Sequence, residues 1–264
     1  MGICGNYRNN ERNEIKNINK NEEEGEEKYE EKEEIEINNN IPTKKDNENN
    51  SNKDKEEEEY NNYYKLIPIN IANKVMKSIC KIIIKKEENN NYGTGFFMKI
   101  SASKNCLITN YHIISKDKDS NIEIEIHNQK KMNLKLNNRY IKYFPEPIDI
   151  TIIEIKSTDE IYNDIEFLDY DNKKREEYIE YEDVYVFSIE HPLGGNAACA
   201  SGKIINVYEY EFEHNVGTDN GSSGCPILLL NDNINLIKVI GIHKLADETT
   251  HLNCGTFIGE IFND

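Results

Sequence analysis

The sequence predicts an all-β protein: paired antiparallel barrels preceded by a disordered acidic tail. Three observations carry that prediction. From Tyr60 onward, short segments rich in Ile, Val, Tyr, Phe and Thr follow one another, separated by Asn, Asp, Lys and Gly, which is how strands and turns alternate. That region holds no helical stretch and no repeat at a solenoid period, which points to barrels. Residues 1–60 differ in kind, with 19 acidic and 10 basic residues and few aromatic or branched apolar side chains, all of them Ile or Tyr. Such a stretch cannot bury enough surface to offset its ordering entropy, so it reads as a disordered tail or a propeptide.

Taken in order, the folded domain is expected over 61–264. Strands are expected near Ser78–Ile84, Tyr92–Ile100 and Cys106–Ile114. Residues 121–127 alternate Ile with Glu, which suits a half-buried strand. Lys131–Leu136, Ile141–Phe144 and Ile150–Ile155 would complete a first barrel. Ser157–Tyr181, rich in Glu, Asp, Asn and Tyr, reads as the linker. A second barrel would use Asp183–Ser188, Ala197–Glu211, Pro226–Leu230, Leu236–His243 and Gly255–Ile258.

The formal net charge is −17, from 49 acidic and 32 basic residues. A polyanion would be repelled, which excludes nucleic-acid binding as an expected function. The six cysteines form no C-x-x-C pair, and several sit in apolar strands, where a thiol packs as a small hydrophobe. No secretory h-region and no bilayer-length apolar run is present, so the expectation is a cytoplasmic setting without disulfides. Gly2 and Cys4 fit the pattern for myristoylation plus palmitoylation, which would anchor the chain to a membrane. Asn6 stands where that pattern favours Ser or Thr, and an ordinary initiator sequence is the competing reading. No metal site is expected from the histidine and cysteine spacings, and no cofactor.

Three stretches carry chemistry. Thr218-Asp219-Asn220-Gly221-Ser222-Ser223-Gly224-Cys225-Pro226 precedes the apolar run Ile227–Leu230. Glycines and small residues packed before a buried strand make a sharp turn that can present a hydroxyl beside exposed N–H groups. Acyl transfer needs both, because the oxyanion must meet preorganised donors. Residues 106–114 place His112 in a β-branched apolar run, and residues 147–155 place Asp149 in another. An ionised Asp there is costly unless paired. His112 and Asp149 lie 37 residues apart, and Asp149 and Ser223 lie 74 apart.

In this order, His, Asp, then Gly-x-Ser-Gly, the chain resembles the chymotrypsin-like (trypsin-like) serine peptidases, over roughly Lys77 to Phe262. Gly93-Thr94-Gly95-Phe96 is similar to a hairpin of that family. The resemblance implies two six-stranded barrels and a triad in which Ser223 attacks, His112 takes the proton and Asp149 holds the imidazole. It also implies an oxyanion hole from the N–H groups of Gly221 and Ser223. Cys225 as nucleophile would need a following glycine, and Pro226 stands there.

Ser222 occupies the place where secreted trypsins carry an aspartate that pairs with the cleaved N-terminus, so that activation route is not expected. Val239-Ile240-Gly241-Ile242-His243 resembles the glutamyl endopeptidases of V8 type, which implies that Thr218 and His243 bind an acidic P1 side chain. Lys244-Leu245-Ala246 departs from that branch's following Gly-rich segment. His191 reads as structural, His127 and His251 as surface residues, and His214 receives no role. The expected function is therefore a serine endopeptidase acting on proteins or peptides, possible acidic preference included. Two other readings stay open: an inactive trypsin-like domain that binds peptides, and a tail that acts as an interaction or tethering arm.

Overall fold

The computed structural model describes residues 65–262 apart from 86–88, 117–121, 128, 232, 234–235, 248–249 and 251. The tail expected over 1–60, with Gly2 and Cys4, lies outside the described residues. Among the described residues the first element is a short helix, α1 (Ile69–Met76), which the sequence reading omitted. Pro68 precedes it, and its carbonyl accepts from the N–H groups of Ile71 and Ala72 at 2.9 and 3.1 Å. A proline loses nothing at this position, because helix-start N–H groups have no intrahelical partner. Ile71 and Val75, four residues apart, are the buried face.

Seven strands follow as one antiparallel sheet: β1 (Ile79–Ile84), β2 (Asn91–Ser101), β3 (Lys104–Thr109), β4 (Ile122–Ile126), β5 (Lys131–Asn133), β6 (Ile141–Phe144) and β7 (Ile150–Glu154). Their order is β5-β4-β1-β2-β3-β7-β6. The expected six-stranded closed ladder is thus a seven-stranded sheet in the first half. The second half closes: β8 (Tyr185–Glu190), β9 (Ala198–Val207), β10 (Glu211–His214), β11 (Pro226–Leu229), β12 (Val239–Ala246) and β13 (Asn253–Phe257) form a barrel in the order β10-β13-β12-β11-β8-β9.

Two expected strands shift. Ala197–Glu211 is two strands, β9 and β10, joined where Tyr208 N–H donates to Glu211 O at 2.8 Å. The strand expected to end at His243 instead runs on to Ala246 in β12. The linker folds into turns and a 3₁₀ helix, Arg175–Tyr181. Its Tyr178 and Tyr181 stack on Phe257 at 4.0 and 5.6 Å, so the polar-looking segment plugs the second barrel.

Apolar side chains gather in three clusters, and these explain which strands read as continuous apolar runs. Ile82, Phe97, Leu107, Ile124 and Ile153 fill the first half. Phe212, Ile227, Ile240 and Phe257 fill the barrel. A third cluster joins the halves, with Phe96, Met98, Ile108 and Ile152 on one side and Phe187, Leu228, Val239 and Ile242 on the other. Phe96 faces the seam and Phe97 the interior, as the period of two requires. β2, β3 and β7 are therefore covered on both faces, while β4, with an alternating pattern, is covered on one.

Candidate active site

His112 and Asp149 sit just outside β3 and β7, not within them as the sequence suggested. β3 ends at Thr109, and His112 lies in the turn beyond it. Asp149 immediately precedes β7 and has φ 55°, a left-handed conformation that Asp tolerates better than most residues. Four hydrogen bonds hold the two segments together. The Asp149 carbonyl accepts from Tyr111 N–H at 3.1 Å and from Asn110 Nδ2 at 3.0 Å. Its carboxylate accepts from His112 N–H at 2.9 Å and faces His112 Nδ1 at 2.7 Å. Asp149 is 1% exposed, whereas the imidazole side chain is 43% exposed. A buried carboxylate thus grips one edge of a partly exposed ring.

Ser223 reaches the site on the turn before β11. Gly221 and Gly224, flanking it, have φ of 93° and 89°. A Cβ on Gly224 would stand 2.1 Å from Thr94 O, so the position takes glycine on two counts. Within the turn, Ser222 N–H donates to Asp219 O at 3.0 Å, Asp219 N–H donates to Ser222 Oγ at 3.0 Å, and Cys225 N–H donates to Ser222 O at 2.9 Å. Among the described residues, the N–H groups of Gly221 and Ser223 make no backbone hydrogen bond. The Ser223 hydroxyl donates to Lys244 O at 3.2 Å.

Thr94, central to Gly93-Thr94-Gly95, fastens this turn to the first half. Its N–H donates to Ser223 O at 2.9 Å and its hydroxyl to Gly221 O at 2.9 Å. The same hydroxyl accepts from His191 N–H at 3.0 Å, while Thr94 O accepts from the Thr109 hydroxyl at 2.8 Å. The sequence singled out this hairpin by likeness alone; its work here is to clasp the turn that carries Ser223.

His243 is 3% exposed, and its Nδ1 meets Nε2 of the fully buried His214 at 3.3 Å. Burial, and then the nearby His112 charge, pushes the His243 imidazole down to about 3; burial likewise holds His214 well below its ordinary value. Both rings are neutral at physiological pH. His214 Nδ1 has no partner. An orphaned buried N–H costs more than an under-used lone pair, so the favoured arrangement has His214 Nε2 donating to His243 Nδ1. That leaves the second nitrogen of His243 as a donor. Thr218 is half-buried, and its hydroxyl donates to Asn253 Oδ1 at 2.9 Å, with Asn253 Nδ2 bound to Val216 O at 2.6 Å.

A trypsin-like peptidase domain model matches residues 93–242, a span that contains His112, Asp149 and Ser223. The chain belongs to the trypsin-like peptidase family. No curated protein matches it in sequence. Solved structures share its fold at low identity. A serine endoprotease from Yersinia pestis superposes with TM-score 0.56 at 14% identity, covering 75% of this chain and 65% of its own. An M. tuberculosis protease in its active form gives TM-score 0.54 at 16% identity, over 73% of this chain and 81% of its own. The HtrA-type protease AlgW, solved with a tripeptide, gives 0.55 at 14%, over 74% of this chain and 60% of its own. The trypsin-like domain thus spans less than two thirds of two of these structures.

Sequence reading assigned no role to two residues that contact the candidate site. His214 lies nine residues before Ser223 and carried no motif, yet β10 and β12 both border β13 and bring it to His243. Lys244 registered only as a departure. Its side chain is 4% exposed, and its Nζ donates to Pro147 O at 2.7 Å and lies 3.4 and 3.5 Å from Glu146 and Glu211. One residue therefore gives its carbonyl to Ser223 and its ammonium to the segment leading to Asp149. Among the described residues, no group of three or more His, Cys, Asp or Glu side chains is placed to hold a metal ion.

Proposed function

We propose that this domain is a serine endopeptidase that hydrolyses peptide bonds through an acyl-enzyme. The observation that carries the reading is the two-point grip of Asp149 on His112, at 2.9 and 2.7 Å. Asp149 fixes the tautomer with a proton on Nδ1, leaving Nε2 as the base. The Ser223 hydroxyl leaves Lys244 O, passes its proton to His112 Nε2 and attacks the scissile carbonyl. The unpaired N–H groups of Gly221 and Ser223 are the donors for the oxyanion. His112 then returns the proton to the leaving amine, and water repeats the sequence on the acyl-enzyme.

For specificity, the reading extends to acidic P1 residues, with His243 as the donor. Its support is the buried imidazole pair, which presents a neutral N–H whose bond to a carboxylate is worth ~1.5–3 kcal/mol. Thr218 must turn its hydroxyl from Asn253 to join it. Because His243 is neutral throughout the working range, no loss of preference is expected as pH rises through the ordinary histidine range. Profiling wild type and His243→Ala on a peptide library tests this, and equal use of Glu and Gln at P1 by the wild type would end it.

One observation favours a second reading, a peptide-binding domain that does not cleave: the Ser223 hydroxyl is spent on a carbonyl. A fluorophosphonate probe separates the two. Labelling at Ser223, lost in Ser223→Ala and in His112→Ala, supports the peptidase; an unlabelled but peptide-binding wild type overturns it. Acylation at Gly2 and Cys4 is a companion proposal for membrane tethering, tested by metabolic labelling with an alkyne fatty acid in wild type and Gly2→Ala.

A further inference from the structure

Glu190, the last residue of β8, is 3% exposed, and among the described residues no Lys, Arg or His forms an ion pair with it. Its Oε2 accepts from the Cys225 thiol at 3.6 Å. The Ser222 hydroxyl lies near enough to the same carboxyl group to favour its charged form. Ser222 and Cys225 bracket the Ser223-Gly224 pair, so this carboxyl group lies beside the turn on both sides of that pair.

We propose that Glu190 is a positioning residue whose buried carboxylate, by accepting from Ser222 and Cys225 together, fixes the turn that presents Ser223. The proposal rests on the serine-peptidase reading. The Cys225 thiol donates to the group and the Ser222 hydroxyl is placed beside it, which suits the ionised form, since a neutral acid gives up one acceptor site for its own proton. The Ser222 hydroxyl also accepts from Asp219 N–H, so its proton is directed toward Glu190 and the whole turn from 219 to 225 is tied to β8. Where secreted trypsins carry a carboxylate within the turn, this chain has Ser222, and the carboxylate arrives from a neighbouring strand.

The groups that face Glu190 are the Ser222 hydroxyl and Cys225 thiol on the turn, the Asp219 carboxylate beyond them, and Cys199 on β9. Burial first, and then Asp219, pushes Glu190 up to about 7, against the opposing effect of Ser222 and Cys225. The positioning form is therefore assembled as pH rises through neutrality.

The test uses the full chain, a fluorophosphonate probe and amide hydrogen exchange. Through the region around pH 7, the log labelling rate should climb with a steeper slope in wild type than in Glu190→Gln, the extra rise totalling about tenfold. At pH 8 the Gln variant should label about tenfold more slowly, the factor for ~1.4 kcal/mol, and Glu190→Asp should recover part of the rate. Exchange at the Ser222, Gly224 and Cys225 amides should quicken in Glu190→Gln while core strands keep their protection. Unchanged exchange and unchanged slope in a folded, labelled variant overturn the positioning role and leave the peptidase standing. Quickened exchange in a protein whose wild type never labels supports the positioning of the turn and removes the peptidase reading. Near-UV dichroism confirms the fold of Glu190→Gln; if that variant is unfolded, Glu190→Asp carries the same comparisons.

Discussion

At the scale of the residue, the site sets charge against burial. Glu190 costs the fold stability, because its folded pKa of about 7 exceeds its unfolded value near 4.5. The folded state then holds the extra proton between those values, so stability is greatest below pH 4.5 and falls as pH rises toward 7. Glu190→Gln removes that slope. Relative to wild type it should gain on the order of 3 kcal/mol between pH 4.5 and 8 in urea denaturation, since each pKa unit is ~1.36 kcal/mol; a constant difference between the two pH values would refute the assignment. Gly224→Ala should act oppositely. Its φ of 89° and the 2.1 Å approach to Thr94 O leave no place for a methyl group, and a loss of roughly 2 kcal/mol or more is expected. Cys80, Cys106, Cys225 and Cys254 are buried thiols and Cys199 is exposed. Among these five, an alkylating reagent should modify Cys199 first in the native protein, which mass spectrometry reads directly.

At the scale of the element, the clasp and the helix differ in how far they could be foreseen. Thr94→Val keeps shape but removes the donor to Gly221 O and the acceptor for His191 N–H. A cost of ~1–3 kcal/mol per orphaned buried group should appear in urea denaturation, with slower probe labelling, whereas Thr94→Ser should retain most of both. The strands were legible wherever burial leaves a period: the Ile–Glu alternation of β4, and the continuous runs of β3 and β7 that two-sided cover requires. α1 was not legible, since eight residues with two buried positions make too little helical period against a β-rich background. His112, Asp149 and Ser223 were legible as candidates because their order and spacing stand in the chain, while the His214–His243 pair and the Glu190 carboxyl group are contacts between strands distant in sequence. Ser201 Oγ donates to Lys65 O at 2.8 Å, so the described chain is pinned from its first residue. A protein starting at residue 61 should melt as the full chain does. One starting at residue 77 loses Ile71 and Val75 from the seam and should melt lower by calorimetry.

At the scale of the whole molecule, His112 and Asp149 belong to one half and Ser223 to the other. Thr94, Lys244 and the Thr256 hydroxyl, which donates to Ile148 O at 3.0 Å, are the polar ties across an otherwise apolar seam. Labelling of Ser223 should therefore fall at lower urea than the loss of far-UV dichroism, and coincident transitions would argue against a yielding seam. The same division bears on how the protein comes into being. A ribosome releases the half with His112 and Asp149 long before it reaches Ser223, and domains form as they emerge. On the proposed reading, the nascent polypeptide holds an idle imidazole until the strands of the second half close and dock, so proteolytic capacity arrives only after Ser223 and the strands β11 to β13 have been made.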